Sequence, residues 1–355
     1  MMAAMLKCLI HATRARSSPP SPLVLSWARN TESIAGIDVK NLIKRLPYIR
    51  SLHLQIEQQR AELQRWRTWQ PPGHFYSPIP SLEEVRQQAR LIFDSSRTTL
   101  GAVDLNRLRQ AELLEVFGSL CRDIPFPESP REGFRYHFKN EYFSYADGVT
   151  LFCMLRHLQP RRVVEIGSGF SSALMLDTND RFLGRSVKFT FIEPHPERLD
   201  SLIWDGDRDN TTILRHSVQS TPVSVFQSLQ AGDVLFIDSS HVSKTGSDVN
   251  FLLFEILPVL APGVHIHFHD VFHPFEYPED WIQEGVAWNE AYLLRAFLQY
   301  NHAFEIQFFV SFVMRHLKER VAEILPLALL SEKERISLYN DAPGGSIWLL
   351  KTDAQ

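Results

Sequence analysis

Short apolar runs alternate with amphipathic segments along the second half of the chain. The runs "VVEI", "FTFI" and "VLFI" are apolar on both faces, as strands of a buried parallel sheet are. The pattern predicts strands at residues 162–166, 188–192, 211–214, 233–237, 264–268, 304–312 and 346–350. Helices fall between most of them, and this alternation is typical of an α/β, Rossmann-like, seven-stranded and mostly parallel sheet with helices on both faces.

A different pattern precedes the sheet. Leu42, Ile49, Ile56 and Leu63 recur every seven residues, and Pro71 with Pro72 ends the run. This predicts an amphipathic helix or short coiled coil over residues 42–69, with its regular part starting near Pro47. Two interpretations stay open: packing on the chain's own domain, or homo-oligomerisation through this helix.

Three further helices are predicted before the first strand. Ser81 followed by Glu84 resembles a capping box for a helix through Phe93, Asp104 is expected to open the next, and a third spans 148–158. We divide the chain into a variable leader (1–38), an N-terminal helical region (39–130) and a sheet-containing domain (131–355).

Composition limits the classes of function. The chain has 355 residues, a net charge of −4 and 44% hydrophobic residues, so neither a disordered chain nor a nucleic-acid or membrane-surface partner is indicated. Cys8, Cys121 and Cys153 lie far apart, which argues against disulfides and thiolate metal sites and favours the cytoplasm. No apolar stretch is long enough to span a bilayer. Residues 1–31 contain no Asp or Glu, which leaves a targeting peptide, a disordered leader or an upstream start codon as readings.

Candidate chemistry lies at the strand tips. The first strand runs into Glu165, Gly167, Ser168 and Gly169, a glycine-rich turn that opens a helix and lets a ligand approach the backbone. Glu193 ends the second strand, where a carboxylate can accept hydrogen bonds from both ribose hydroxyls. Ser217 and Val218 follow the third strand.

These residues resemble those of class I S-adenosylmethionine-dependent methyltransferases over roughly residues 135–351. The resemblance implies that the Glu165–Gly169 loop holds the methionine part of the donor, Glu193 the ribose, and Ser217 with Val218 the adenine. The chain departs from many relatives after the third strand, where an acidic residue is usual. An NAD-binding Rossmann domain is the alternative, although Ser172 stands where its third glycine is expected.

A narrower resemblance is to metal-dependent O-methyltransferases of the catechol and antibiotic-sugar types. It implies a divalent cation held by Asp238 and Asp270, with His241 as general base; Asp238 also borders the donor. His269 stands where those enzymes have an acidic residue, and we add it as a candidate further ligand. Carboxylates suit Mg²⁺, whereas an imidazole suits Mn²⁺, Fe²⁺ or Zn²⁺ better. The alternative is that the histidines at 265, 267 and 269 share one face of a strand and only pack or hydrogen-bond there.

The acceptor is expected to be a sugar, glycan or small hydroxylated metabolite, because aromatic and polar residues crowd the segment after the fifth strand. Candidate contacts are Tyr277, Trp281 and Asn289 of that segment, together with Tyr142 of the run that precedes the first strand. The chain also resembles the Methyltransf_24 group, which implies the donor better than the reaction. A metal-free methyltransferase and a non-catalytic binding or assembly protein remain alternatives.

Overall fold

The computed structural model describes residues 47–65, 69–330 and 343–353 of the chain. The chain divides into two compact units, Met1–Pro71 and Pro72–Gln355. Among the described residues, no helix combines the length and apolar character that crossing a membrane requires.

The described part of the first unit consists of residues 69–71 and helix α1, Pro47–Arg65, which begins at the proline that the sequence pattern marked. Leu52, Leu54 and Ile56 are exposed by 37%, 57% and 42%. Leu42 and Leu46 lie outside the described residues. The side chains at the other positions of the seven-residue repeat, apart from Ile56, lie outside them too. Self-association through this helix stays a prediction.

Seven strands form one sheet in the order β3-β2-β1-β4-β5-β7-β6. Their bounds are β1 Arg162–Ile166, β2 Lys188–Ile192, β3 Thr211–Leu214, β4 Val234–Ile237, β5 His265–His269, β6 Phe304–Phe309 and β7 Ser346–Lys351. β1 to β5 pair in parallel, and β7 runs antiparallel to both β5 and β6. Every residue of β4 and β5 is buried, so both faces of the sheet centre are covered. The predicted fold class is confirmed.

The strand predicted at 304–312 is wrong at its end. β6 stops at Phe309, and Val310–His316 is a helix. The apolar run continues through both elements, and such a run does not separate a buried strand from a buried helix by its period.

The helices of the second unit follow the predicted alternation. They are α2 Leu82–Ile92, α3 Arg107–Leu120, α4 Tyr145–Leu158, α5 Phe170–Phe182, α6 Glu197–Leu202, α7 Val223–Gln227, α8 Asp248–Phe251, α9 Glu279–Gln283, α10 Glu290–Leu298, α11 Val310–His316 and α12 Lys318–Ile324. A π-helical turn, Leu252–Ile256, extends α8.

Two helix starts differ in detail from the sequence pattern. The Ser81 hydroxyl caps α2 by accepting the Glu84 N–H at 3.4 Å, as predicted. α3 begins after Asn106 rather than at Asp104, whose carboxylate instead accepts the Asn106 N–H at 2.8 Å. α4 begins at Tyr145, three residues before the predicted start. Residues 72–130 lie in the same compact unit as the sheet, and the three-part division of the chain stays a prediction.

A buried ion cluster joins the segment before α4 to helix α5 and to the turn before β3. The Arg135 guanidinium lies 2.7 Å from Asp177 and 2.9 Å from Asp180, and it also pairs with Asp207. The Arg135, Asp177 and Asp207 side chains are 1–3% exposed. Asp177 also accepts the backbone N–H groups of Arg135 and Tyr136. This cluster fixes the chain that leads into α4.

We expect Arg135→Met to destabilise the fold by about 3–5 kcal/mol, because it leaves two buried carboxylates without their cation. The control is Arg185→Met, since Arg185 is 49% exposed and lies 3.4 Å from Asp180; its loss should cost about 1 kcal/mol or less. Urea unfolding followed by circular dichroism measures both, and equal losses would contradict a buried-charge role for Arg135.

Candidate active site

The carboxyl ends of the central strands lie level with each other. Ile166 at the end of β1 pairs with Ile192 of β2 and with Ile237 of β4, and Ile237 pairs with Phe268 of β5. The residues that follow these strands therefore meet at one edge, next to the β1/β4 switch point where open α/β sheets bind ligands.

Gly167 is the point of closest approach in the loop after β1. Its φ is +78°, and a Cβ placed there would lie 1.9 Å from the carbonyl oxygen of Asp238. Its N–H donates to the Ile192 carbonyl at 3.1 Å, and the Asp238 N–H donates to Ile166 at 2.8 Å. Only glycine satisfies both the backbone conformation and the space.

Glu165 supports this loop from below. Its side chain is fully buried and accepts hydrogen bonds from the hydroxyls of Ser171, at 2.6 Å, and Ser172. Ser172 in turn accepts the Gly169 N–H at 3.0 Å. Burial raises the pKa of Glu165 to about 8, and hydrogen bonds from nearby serines lower it only in part. These contacts give Glu165 a role in shaping the loop and the start of α5.

Glu193 follows β2 and holds the same loop from the side. One carboxylate oxygen accepts the Ser168 N–H at 3.0 Å and the other accepts the His195 N–H at 2.7 Å. The side chain is half-buried, so lone pairs remain accessible from the cleft. After β3, Val218 is buried and Ser217 is half-buried.

An acidic cluster with one imidazole lies on the other side of the Gly167 loop. The Nε2 of His241 is 3.3 Å from Asp238 Oδ1 and 3.6 Å from Asp270 Oδ2. One ligand atom from each of these three residues lies within 4.8 Å of the others, which makes them a candidate metal site among the described residues. The sequence-predicted residues Asp238, His241 and Asp270 are thus brought together.

Glu290 stands behind the imidazole. Its carboxylate bonds His241 Nδ1 at 2.9 Å and accepts the Ser239 hydroxyl at 3.0 Å, and its side chain is 1% exposed. Burial by itself would lower the pKa of His241, but the carboxylates of Asp238, Glu290 and Asp270 raise it well above its usual value. Burial raises the pKa of Asp270, and His269 and His241 offset this only in part.

The three histidines of β5 differ in their surroundings. His269 Nε2 lies 3.8 Å from Asp270 Oδ1, outside the three-residue cluster. His265 bonds Gln307 at 2.6 Å, and His267 stacks on Phe236 with ring centroids 3.8 Å apart. His265 and His267 therefore have packing roles, in line with the alternative interpretation of this strand.

Comparison with known proteins places the chain in a family. The family model Methyltransf_24, described as a methyltransferase domain, matches residues 164–271. A protein of Archaeoglobus fulgidus with no characterised function is 36% identical over 185 residues, which cover 49% of this chain and 81% of that protein. The chain belongs to the Methyltransf_24 family. It is a class I S-adenosylmethionine-dependent methyltransferase.

Similar solved structures include CmcI with Mg and S-adenosylmethionine, at 16% identity and a TM-score of 0.35, covering 63% of this chain and 82% of that one. Another is the Podospora anserina methyltransferase PaMTH1 bound to SAH, at 13% identity and a TM-score of 0.36, covering 78% and 99%.

The predicted acceptor contacts of the methyltransferase fall into two groups. Tyr142 is 52% exposed, and the Arg198 guanidinium lies 3.5 Å from its ring centroid. Tyr277, Trp281 and Asn289 instead hold the segment after β5 together. The Tyr277 hydroxyl accepts the Ala291 N–H at 3.0 Å, Trp281 packs on Trp288 with centroids 5.3 Å apart, and Asn289 accepts the Ser243 N–H at 2.6 Å.

Sequence reasoning missed the bond between Glu290 and His241, which are 49 positions apart. The sequence carries only a weak signal for this bond, because Glu290 is simply the first residue of a helix that follows the aromatic segment. Nothing in the local pattern tells whether such a carboxylate turns inward or faces solvent.

Gly167→Ala should destabilise the methyltransferase by several kcal/mol, because its methyl group would overlap the Asp238 carbonyl. Gly184→Ala is the control: Gly184 has φ +59° with no atom within 4 Å of a built Cβ, so it carries only the backbone cost of about 1–2 kcal/mol. The comparison is made by urea unfolding. Similar losses in the two variants would mean that the contact with Asp238 is unimportant.

A second prediction concerns Glu165 and pH. Its pKa is about 8 when folded and 4.5 in the reference state, so the unfolded chain releases this proton first as pH rises. Between these two pH values, the free energy of unfolding of the wild type relative to Glu165→Gln should decrease as the pH rises, by at most about 1.4 kcal/mol per pH unit. Above them the difference should level off.

Thermal or urea unfolding of both proteins from pH 5 to 9 measures this difference. Glu197→Gln is a matched control, because Glu197 is exposed at the start of α6. A flat difference for Glu165→Gln would refute a raised pKa.

Proposed function

We propose that the protein transfers a methyl group from S-adenosylmethionine to a hydroxyl oxygen of a sugar, glycan or small hydroxylated metabolite, with help from a divalent cation. The observation that carries the proposal is the contact between the donor loop and the acidic cluster. Asp238 touches Gly167 through its backbone and His241 through its side chain. A donor at the loop and an acceptor at the cluster would therefore both lie beside Asp238, which would bring the donor methyl close to the acceptor oxygen.

The donor half of the proposal rests on the loop and on Glu193. Backbone N–H groups already occupy one position on each Glu193 oxygen, which fixes the carboxylate and leaves further lone pairs for two ribose hydroxyls. Gly167, Ser168 and Gly169 let the donor lie close to the backbone. Ser217 and Val218 would border the adenine.

The acceptor half rests on the cluster. A neutral hydroxyl is a poor nucleophile, so its proton must leave at or before methyl transfer. The donor set of two carboxylates and one imidazole fits a divalent cation, and a cation bound there would lower the pKa of a coordinated hydroxyl. Asp238 and Asp270 are 33% and 19% exposed, so an acceptor can reach them from solvent.

The acceptor class rests on the segment after β5. The rings of Trp281 and Trp288 are half-buried. The Trp288 ring centroid lies 4.4 Å from that of His241, and Trp281 packs on the other indole. Half-buried indoles beside carboxylates suit a ligand with both hydroxyl groups and an apolar ring face.

The test has a donor arm and a transfer arm. Calorimetric titration should detect S-adenosylmethionine binding, and Glu193→Ala should weaken it about 10-fold or more, since charge-assisted hydrogen bonds are each worth about 1.5–3 kcal/mol. Glu197→Ala removes an exposed carboxylate nearby and should leave binding unchanged. Absent binding in the folded wild type would overturn the proposal.

In the transfer arm, labelled donor is incubated with a panel of hydroxylated acceptors. Asp270→Asn should keep donor binding and lose transfer, and a chelator should have the same effect on the wild type. Undiminished turnover in the chelator would instead support a metal-free mechanism in which His241 alone takes the proton.

A further inference from the structure

We infer that His241 is a ligand of the divalent cation rather than a free general base, and that buried Glu290 is the positioning residue that fixes its ring for this role. The inference rests on the proposed metal site at Asp238 and Asp270. It states which ring nitrogen of His241 would face the cation and which residue holds the ring in that orientation.

Glu290 sets the tautomer of His241. A carboxylate is an acceptor only, so the 2.9 Å bond from Glu290 Oε2 to Nδ1 places the hydrogen on Nδ1. The other Glu290 oxygen accepts the Ser239 hydroxyl at 3.0 Å, which holds the carboxylate in place. When the ring is neutral, its lone pair therefore lies on Nε2. Imidazole ligands of metals are commonly oriented by a carboxylate in this way.

The position of Nε2 suits coordination. Ligand atoms about 2.1 Å from an octahedrally coordinated ion are separated from each other by about 3 Å when adjacent and about 4.2 Å when opposite. The distances from Nε2 to Asp238 and Asp270, 3.3 and 3.6 Å, fall within this span. Both exceed the roughly 2.7–2.9 Å of a direct charge-assisted hydrogen bond.

Access argues against a free base. The His241 side chain is 6% exposed, whereas those of Asp238 and Asp270 are 33% and 19% exposed. An acceptor hydroxyl entering the cleft therefore reaches the carboxylates before it reaches Nε2. A base needs direct contact with the proton that it removes, while a ligand needs only to face the ion.

The backbone of His241 is held as firmly as its ring. Its φ is +58°, a left-handed conformation that non-glycine residues adopt where the surroundings impose it. Its carbonyl accepts the N–H groups of Asn289 and Glu290 at 3.0 and 3.1 Å. One turn of chain thus fixes both the carbonyl and the Nδ1 of the same residue. Asp270 also has a left-handed φ, +55°.

The donor set also points to a class of cation. Mg²⁺ prefers oxygen ligands, and an imidazole in the set favours Mn²⁺, Fe²⁺, Co²⁺ or Zn²⁺. Mn²⁺ is the probe of choice because its electron spin reports directly on bound nitrogen.

The experiment measures electron spin echo envelope modulation of Mn²⁺ bound to the full chain without S-adenosylmethionine. We expect ¹⁴N coupling from one directly bound imidazole. The coupling should disappear in His241→Ala and persist in His269→Ala. Bound Mn²⁺ without ¹⁴N coupling in the wild type would overturn the inference, as would coupling that disappears only in His269→Ala.

The Mn²⁺ dissociation constant tests the role of Glu290. Glu290→Ala should weaken Mn²⁺ binding about 10–100-fold, as loss of an orienting carboxylate commonly does. Glu290→Gln keeps an oxygen that accepts the Nδ1 hydrogen and should recover most of the affinity. Glu276→Gln is the control, because Glu276 is a largely buried carboxylate of the same segment that bonds Tyr292 instead.

If the Glu290→Ala and Glu276→Gln variants bound Mn²⁺ with equal affinity, Glu290 would not be a positioning residue. Absence of Mn²⁺ binding in the wild type would overturn the whole inference. Calorimetric binding of S-adenosylmethionine to the same preparation then shows whether the donor half of the proposed function stands without it.

Discussion

The close contact between the loop after β1 and the end of β4 is the constraint on which the rest of the site depends. Parallel pairing ends β1 and β4 at the same level, and Gly167 then lies against the Asp238 carbonyl with no room for a side chain. Because the same Asp238 carries its carboxylate toward His241, the loop and the acidic cluster cannot move independently. Under the proposed function, donor binding and acceptor activation are therefore coupled through backbone packing.

Buried ionisable groups support the sheet, and each is held by partners close in space. At the carboxyl ends of the strands, Glu165 has two serine hydroxyls and Glu290 has a hydroxyl and an imidazole. Arg135, which pairs with three carboxylates, lies instead beside α5 and the turn before β3. Burying a charge without such partners costs several kcal/mol, so these groups tolerate little rearrangement. Rigidity at the strand tips is the consequence, and a site that must align a methyl donor with an acceptor atom requires it.

The sequence predicted the sheet well because its strands are short apolar runs bounded by turn residues. Bounds for β1, β2 and β3 match residue for residue, whereas β6 was extended into a helix where the apolar run continued. Strand-tip residues such as Asp238 and Asp270 were found because topology brings parallel strand ends together. The Glu290 contact was missed, and Tyr277 and Asn289 turned inward, because side-chain direction in an irregular segment depends on tertiary contacts.

The segment after β5 joins an aromatic wall to the acidic cluster. Trp288 packs against both the His241 ring and Trp281, and the next two residues bond the His241 carbonyl. A change in this aromatic wall would therefore shift the imidazole as well. Under the proposed function, a variant that widens the acceptor range by changing Trp288 is for this reason expected to alter cation binding too.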